Sequence, residues 1–156
     1  MSKSAVLAQL RAQVGTELHV SEWIEINQAR IDRFADATGD HQWIHVDVER
    51  AARESPYGAP IAHGFLTLSM LPMLTSTGTG AEPRYPGVKL SVNYGLNRVR
   101  FPAPVPAGSR IRARTTLKEV SEVPRALQLV REVTVEVEGG DKPVCVAEAI
   151  GRLYFD

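Results

Sequence analysis

Residues 63–78 read HGFLTLSMLPMLTSTG, in which Phe65, Leu66, Leu68, Met70, Leu71, Met73 and Leu74 leave almost no polar face. A helix that is apolar all round has to be buried on all sides. Sixteen residues are too few to cross a bilayer, so the solvent such a helix prefers is the interior of its own protein. Pro72 supplies no amide hydrogen, which predicts a kink or an end to the regular helix there. Beyond a Gly- and Pro-rich stretch at Thr77–Gly87, the period changes from helical to alternating. Val88–Phe101, Ser109–Val120, Leu127–Val137 and Pro143–Phe155 are rich in Val, Ile, Thr and aromatics and read as four long strands. The short connections PAPVPAG, SEVPRA and EGGDK make the sheet antiparallel, the last of them as a hairpin turn. A sheet with one apolar face and one helix in need of burial have a joint solution: the sheet curls round the helix, giving an α+β fold.

Upstream of this segment, Val6, Leu7, Leu10 and Val14 recur with helical spacing from Ser4 until Gly15 stops them. His19–Ile26 alternates imperfectly and reads as an edge strand. Asn27 is placed to cap a helix carrying Ile31, Phe34, Ala35 and Thr38 on one face, and Gly39 ends it. Asp40 therefore stands at the head of a loop that also holds His45. Asp47 caps a short helical stretch with Val48, Ala51 and Ala52 on one side, and Ser55–Pro60 is a turn-rich break.

At 156 residues, with neither repeats nor a linker-like run, the chain reads as a single domain over 1–156. Its 18 basic and 18 acidic residues balance, which argues against the positive field that nucleic acid or an anionic membrane surface demands. Cys145 is the one cysteine, lies in an apolar strand and is expected in the core. The start MSKSAVLAQLRAQVG resembles neither a signal peptide nor a membrane span, so a cytoplasmic location is expected.

Asp40 and His45 are five positions apart, and residue chemistry alone allows two readings of them. One is a turn-making aspartate followed by a surface histidine. The other is an acid and an imidazole presented to one small volume, where they hold and activate a water. His63-Gly64 also has two readings: a cap and a packing glycine, or a helix mouth whose free amides receive an oxygen that becomes negative during reaction. Metal ligation by His41 and His45 with Asp40, Asp47 or His63 is set aside for want of a clean ligand set. Trp43 reads as loop packing, and Lys89, Arg98 and Arg100 as solvent-facing rather than bound to a ligand's phosphates. Asn93, Tyr94 and Asn97 break the alternation of their strand, a sign of a bulge or of an irregular edge.

The run FADATGDHQWIHVD followed by IAHGFLTLSML resembles the signature of the MaoC-like hydratases, the hot-dog-fold (R)-specific enoyl-CoA hydratases also called hydratase 2. Within them the chain is most similar to the branch of nodulation protein N and the mycobacterial (3R)-hydroxyacyl-thioester dehydratases. VNYGLNRVRFPAPVPAGSRIRA and KPVCVAEAI extend the resemblance over nearly the whole chain from Ile31 onward. The resemblance implies a hot-dog domain, a homodimer with sheets joined edge to edge, and Asp40 and His45 as a catalytic dyad. It implies Gly64, with His63 beside it, as the substrate-binding element whose amide meets the thioester carbonyl. Gln42-Trp43 stands where the family usually has Asn-Pro.

The expected activity is therefore that of a lyase, the reversible hydration of a trans-2-enoyl-CoA to the (3R)-hydroxyacyl-CoA. The acyl-CoA is substrate, and no cofactor and no metal are expected. Two alternatives share the fold: an acyl-CoA thioesterase, and a non-catalytic acyl-thioester-binding protein.

Overall fold

The structure is a computed structural model that describes residues 2–75 and 85–155. It begins with helix α1 (Lys3–Gln13), where the Ser2 side chain accepts a hydrogen bond from the Ala5 amide as its N-cap. Val6, Leu7 and Leu10 are buried, whereas Val14, expected on the same face, lies beyond the helix and is exposed.

The single strand expected over 19–26 is two short ones, β1 (Glu17–Val20) and β2 (Ile24–Ile26), both antiparallel to the same neighbour. Ser21 explains the interruption. Its amide donates to the Ala113 carbonyl and its Oγ accepts from the Ala113 amide, both at 2.9 Å. A side chain thus takes a place in the ladder that backbone would otherwise fill.

Helix α2 (Gln28–Thr38) starts as expected, with the Asn27 side chain accepting from the Arg30 amide, and ends on Gly39 at a left-handed φ of 80°. What the sequence suggested was loop contains a single helical turn, α3 (Trp43–Val46). Asp47 then caps α4 (Val48–Glu54), of which only Ala51 is buried.

The apolar segment is not one long helix. It forms α5 (Gly64–Ser69) and α6 (Leu71–Leu74), parted at Met70. Pro72 cannot donate to a carbonyl four residues back and its ring crowds that group, so the regular spiral gives way just before it. The stretch at 77–87 lies outside the described residues except for 85–87.

Four long antiparallel strands follow: β3 (Val88–Arg100), β4 (Ser109–Val123), β5 (Ala126–Val137) and β6 (Cys145–Phe155). Strands β4 and β5 run further than the pattern indicated, to a two-residue turn at Pro124-Arg125, with Arg125 at a φ of 66°. The sheet order is β1-β4-β5-β6-β3, with β2 also on β4. The β3 register against β6 shifts between Asn93 and Gly95 and again between Leu96 and Arg98, so Tyr94 and Asn97 sit at bulges.

One face of this sheet wraps the broken helix. Leu66, Met70, Leu71 and Leu74 pack with Ile111, Ala113, Val133, Val135, Cys145 and Ala147, joined by Ile26 and Ile31. A second core clamps α1 to the far end of the sheet through Leu117, Leu127, Leu129 and Leu153. The expectation of burial on all sides fails at two places: Phe65 is 66% and Met73 47% exposed.

Candidate active site

The site is assembled where α2, α3 and the start of α5 meet. A short piece of ladder holds the approach to α5: the Ala62 amide donates to the Val105 carbonyl and the Ala107 amide to the Pro60 carbonyl, each at 2.8 Å. Ile61 and Pro106 form a β-bridge there. The segment PAPVPAG is therefore more than a connection between strands, because it fixes where His63 and Gly64 stand.

His45 lies in the turn α3 and is 7% exposed. Gln28 holds this turn to α2 by donating from Nε2 to the His45 carbonyl at 2.7 Å. The His45 Nδ1 is 2.7 Å from the Ile61 carbonyl oxygen. A carbonyl only accepts, so Nδ1 carries the hydrogen and, in the neutral ring, Nε2 keeps its lone pair. Burial pushes the His45 pKa below the ordinary histidine value; the bond to Ile61 and the Asp40 carboxylate oppose this, and His63 adds to it. The ring is thus held neutral with a basic nitrogen at physiological pH.

Asp40 is exposed at the head of its loop, with Oδ1 accepting from the Gln42 amide at 3.3 Å. Side-chain ligand atoms of Asp40, His45 and His63 lie within 4.8 Å of one another. Asp40 and His45 share no direct hydrogen bond among those described. A water about 2.8 Å from each group spans such a gap.

His63, 2% exposed, donates from Nε2 to the Asp40 backbone carbonyl at 2.9 Å. Its ring stacks on His45 with centroids 3.9 Å apart and 26° between the planes, and Phe34 packs at 5.0 Å. This stacking bears on the metal question. Imidazole lone pairs lie in the ring plane, and two nearly parallel rings direct them side by side rather than toward one ion. The spacing of the three ligand atoms would admit a cation, but Nδ1 of His45 and Nε2 of His63 are already turned to backbone carbonyls. His41 is not part of it; exposed, it pairs with Asp36 at 2.9 Å, and that bond raises its pKa.

Gly64 opens α5, and neither its amide nor that of Phe65 donates to an acceptor among the described residues. The helix is only six residues long, so the donors themselves matter more than any macrodipole. A Cβ built on Gly64 would lie 2.8 Å from Cδ2 of Phe101, so glycine lets that ring close over the helix mouth. Beside it is a pocket of about 210 Å³ whose lining includes Tyr57, Ile61, Thr67, Phe101 and Val144.

A model of the MaoC like domain matches residues 9–139. The chain belongs to the MaoC-like dehydratase family. It is 52% identical over 147 residues to 3-hydroxyacyl-thioester dehydratase Z of Mycobacterium tuberculosis, covering 94% of each chain. Nodulation protein N of Rhizobium leguminosarum bv. viciae is 49% identical over 152 residues, covering 96% of this chain and 92% of its own. Among solved structures, the R-hydratase PhaJ1 of Pseudomonas aeruginosa superposes with a TM-score of 0.69 at 23% identity, over 92% of this chain and 83% of that one. The MaoC-like fold is thus the hot-dog α+β fold expected from the sequence, and this MaoC-like protein is an enzyme of the hydro-lyase class.

Within the MaoC-like chain, the expected pair Asp40 and His45 is brought together, and Gly64 lies one residue from the ring that stacks on His45. Sequence reasoning missed Ile61, Gln28 and Phe34, the neighbours that fix the histidines. The unusual Gln42-Trp43 has a physical account. Trp43 is the first residue of α3, where a proline would be tolerated because the amide is unpaired anyway. Here the Arg50 guanidinium lies over the Trp43 ring at 4.3 Å and braces the turn against α4 instead. Lys89, Arg98 and Arg100 are exposed along β3. No helix among the described residues is long and apolar enough to cross a membrane.

Proposed function

We propose that this MaoC-like enzyme catalyses the reversible hydration of trans-2-enoyl-CoA to (3R)-hydroxyacyl-CoA, with Asp40 and His45 holding the water. The supporting observation is that the Ile61 carbonyl leaves Nε2 of His45 with its lone pair, while an Asp40 carboxylate oxygen lies within 4.8 Å of a nitrogen of the same ring. In the hydration direction the water oxygen bonds to C3 and one water proton passes to His45 Nε2. The Asp40–His45 pair returns a proton to C2. Negative charge gathers meanwhile on the thioester oxygen, for which the free Gly64 amide is a suitable donor. The substrate class follows the 3-hydroxyacyl-thioester dehydratase name of the half-identical relative.

The active form in this reading is a homodimer. Strand β3 is one edge of the sheet, and Leu90 (56%), Tyr94 (55%) and Leu96 are exposed on it, as Phe65 and Met73 are on the helices. A long edge strand left open invites pairing, the more so where apolar side chains stand exposed among its polar ones, and β3 of a second copy would close both sheets into one.

Incubation with crotonyl-CoA, following enoyl absorbance and free thiol together, tests the activity. Loss of absorbance without thiol release supports hydration. Release of thiol at the same rate would mark a thioesterase, and binding without turnover a mere carrier of acyl thioesters.

A further inference from the structure

His63 was expected to touch substrate, yet it is the most deeply buried of the three polar side chains at the site, and besides its contact with Phe34 its interactions are with the backbone of Asp40 and the ring of His45. We propose that His63 is a positioning residue of the hydration reaction: its Nε2–H, donated to the Asp40 carbonyl, and its ring, stacked on His45, set the separation of the two groups that hold the water. This rests on the reading of Asp40 and His45 given above and adds a third residue to it.

The geometry supplies the reason. Asp40 follows Gly39, a left-handed helix stop, and its own loop holds it only by the 3.3 Å contact from Gln42. Among the described residues that is the one bond on the carboxylate, and it does not tie it to the histidine in its separate turn. The bond from His63 ties that loop to the start of α5 across 23 residues of sequence. Because the Asp40 carbonyl only accepts, His63 Nε2 must carry a hydrogen, which leaves Nδ1 as the lone-pair nitrogen in the neutral ring. That Nδ1 is buried with no described partner. Leaving a buried polar atom unmet costs free energy that an apolar residue in the same space would not incur. A side chain chosen for packing alone would not be histidine; the cost is offset by what the other nitrogen and the ring face do.

His63 also bears, after burial, on when His45 acts as a base. Among the described residues, the titratable groups that act on His45 are His63, which disfavours its protonated form, and Asp40, which favours it. Removing His63 therefore moves the acid limb of the pH profile upward, toward the ordinary histidine value. Leucine keeps His45 buried, so a limb that moves in His63→Leu reports the loss of the imidazole rather than of the packing around His45.

The test uses the full chain and three substitutions, assayed by crotonyl-CoA hydration across pH. Gln places its amide nitrogen near the position of Nε2, Asn only near that of Nδ1, and Leu supplies neither donor. We expect His63→Leu and His63→Asn to lose about 100-fold in kcat, the scale for misplacing a positioned acid or base, with KM within about twofold. His63→Gln is expected to recover at least about tenfold of that loss, and the acid limb of His63→Leu to lie at higher pH than in wild type. Circular dichroism identifies any variant that fails to fold, and the Gln-against-Asn comparison remains decisive if Leu does. Two results would overturn the role: His63→Leu or His63→Asn within about threefold of wild type, or Gln no better than Asn with the limb unmoved. Failure of the wild-type protein to hydrate crotonyl-CoA would instead overturn the proposed function itself.

Discussion

The His45 ring donates from Nδ1 to the carbonyl oxygen of Ile61 at 2.7 Å, a contact between residues 16 apart in the chain. That one bond decides which nitrogen of the ring keeps a lone pair. It also holds the ring in a buried turn rather than on a free loop, and both features have measurable consequences if His45 is the base proposed above.

The first concerns pH. Burial depresses the His45 pKa below the ordinary value of 6.5, and the ring acts as a base only when neutral. Activity should therefore persist at pH 6.5, where an unperturbed histidine would be half protonated, and fall as the pH drops through the depressed value. The acid limb of kcat/KM for crotonyl-CoA is expected below pH 6.5; a limb at or above 6.5 would show that His45 is not the titrating base or is not held as described.

Gly64 and Phe101 make a second test. A methyl group at residue 64 would meet the Phe101 ring at 2.8–3.0 Å, a clash that the half-exposed ring can relieve only by leaving the helix mouth. Overpacking of this kind costs about 1–3 kcal/mol, and expressed in the transition state that is a loss of roughly tenfold or more in kcat/KM. Gly64→Ala should show that loss, and Gly64→Ala with Phe101→Ala should regain most of it. If the double variant stays as poor as the single one, the amide's surroundings rather than the ring are at fault.

Much of this architecture was legible in the sequence, and the reasons are physical. Alternation over ten or more residues is a strong signal, so the four long strands, the wrapped helix and the Asn27 and Asp47 caps could be read directly. The one-turn helix around His45 could not: four residues carry no periodicity, and the contacts that stabilise the turn, from Gln28 and from Arg50 over Trp43, come from elsewhere in the chain. The split of the first strand likewise turns on one hydroxyl, that of Ser21. Phe65 and Met73 were misjudged because a sequence does not say which apolar side chains of a helix its own core will leave uncovered. The pairing of Asp40 with His45 was suggested only by family resemblance, since Asp and His five apart are as easily a turn and a surface residue.

The exposed edge gives a third prediction. If β3 joins two copies, the wild-type protein should sediment at twice the mass of its chain. Leu90→Lys combined with Leu96→Lys, which puts charge on the edge, should shift it toward a single chain. A wild-type protein that sediments as one chain at assay concentration, with full activity, would remove the dimer from the account.

Cys145 gives a fourth. Burial pushes its thiol up to about 11, and the thiolate is the reactive form. The native protein should not react with a thiol reagent at neutral pH and should react once unfolded. The same inertness keeps the protein from contributing to the free-thiol signal when hydrolysis of a thioester is monitored.

The central claim is that Asp40 and His45 act together on one water, and a double-substitution cycle addresses it most directly. Rates of crotonyl-CoA hydration would be measured for wild type, Asp40→Asn, His45→Ala and the double variant. Each single change is expected to lower kcat by at least about 100-fold. Groups that act as a unit are non-additive, so the double variant should be no worse than the poorer single one by more than a few-fold. Either single variant within about threefold of wild type, or losses that multiply in the double variant, would contradict the shared water.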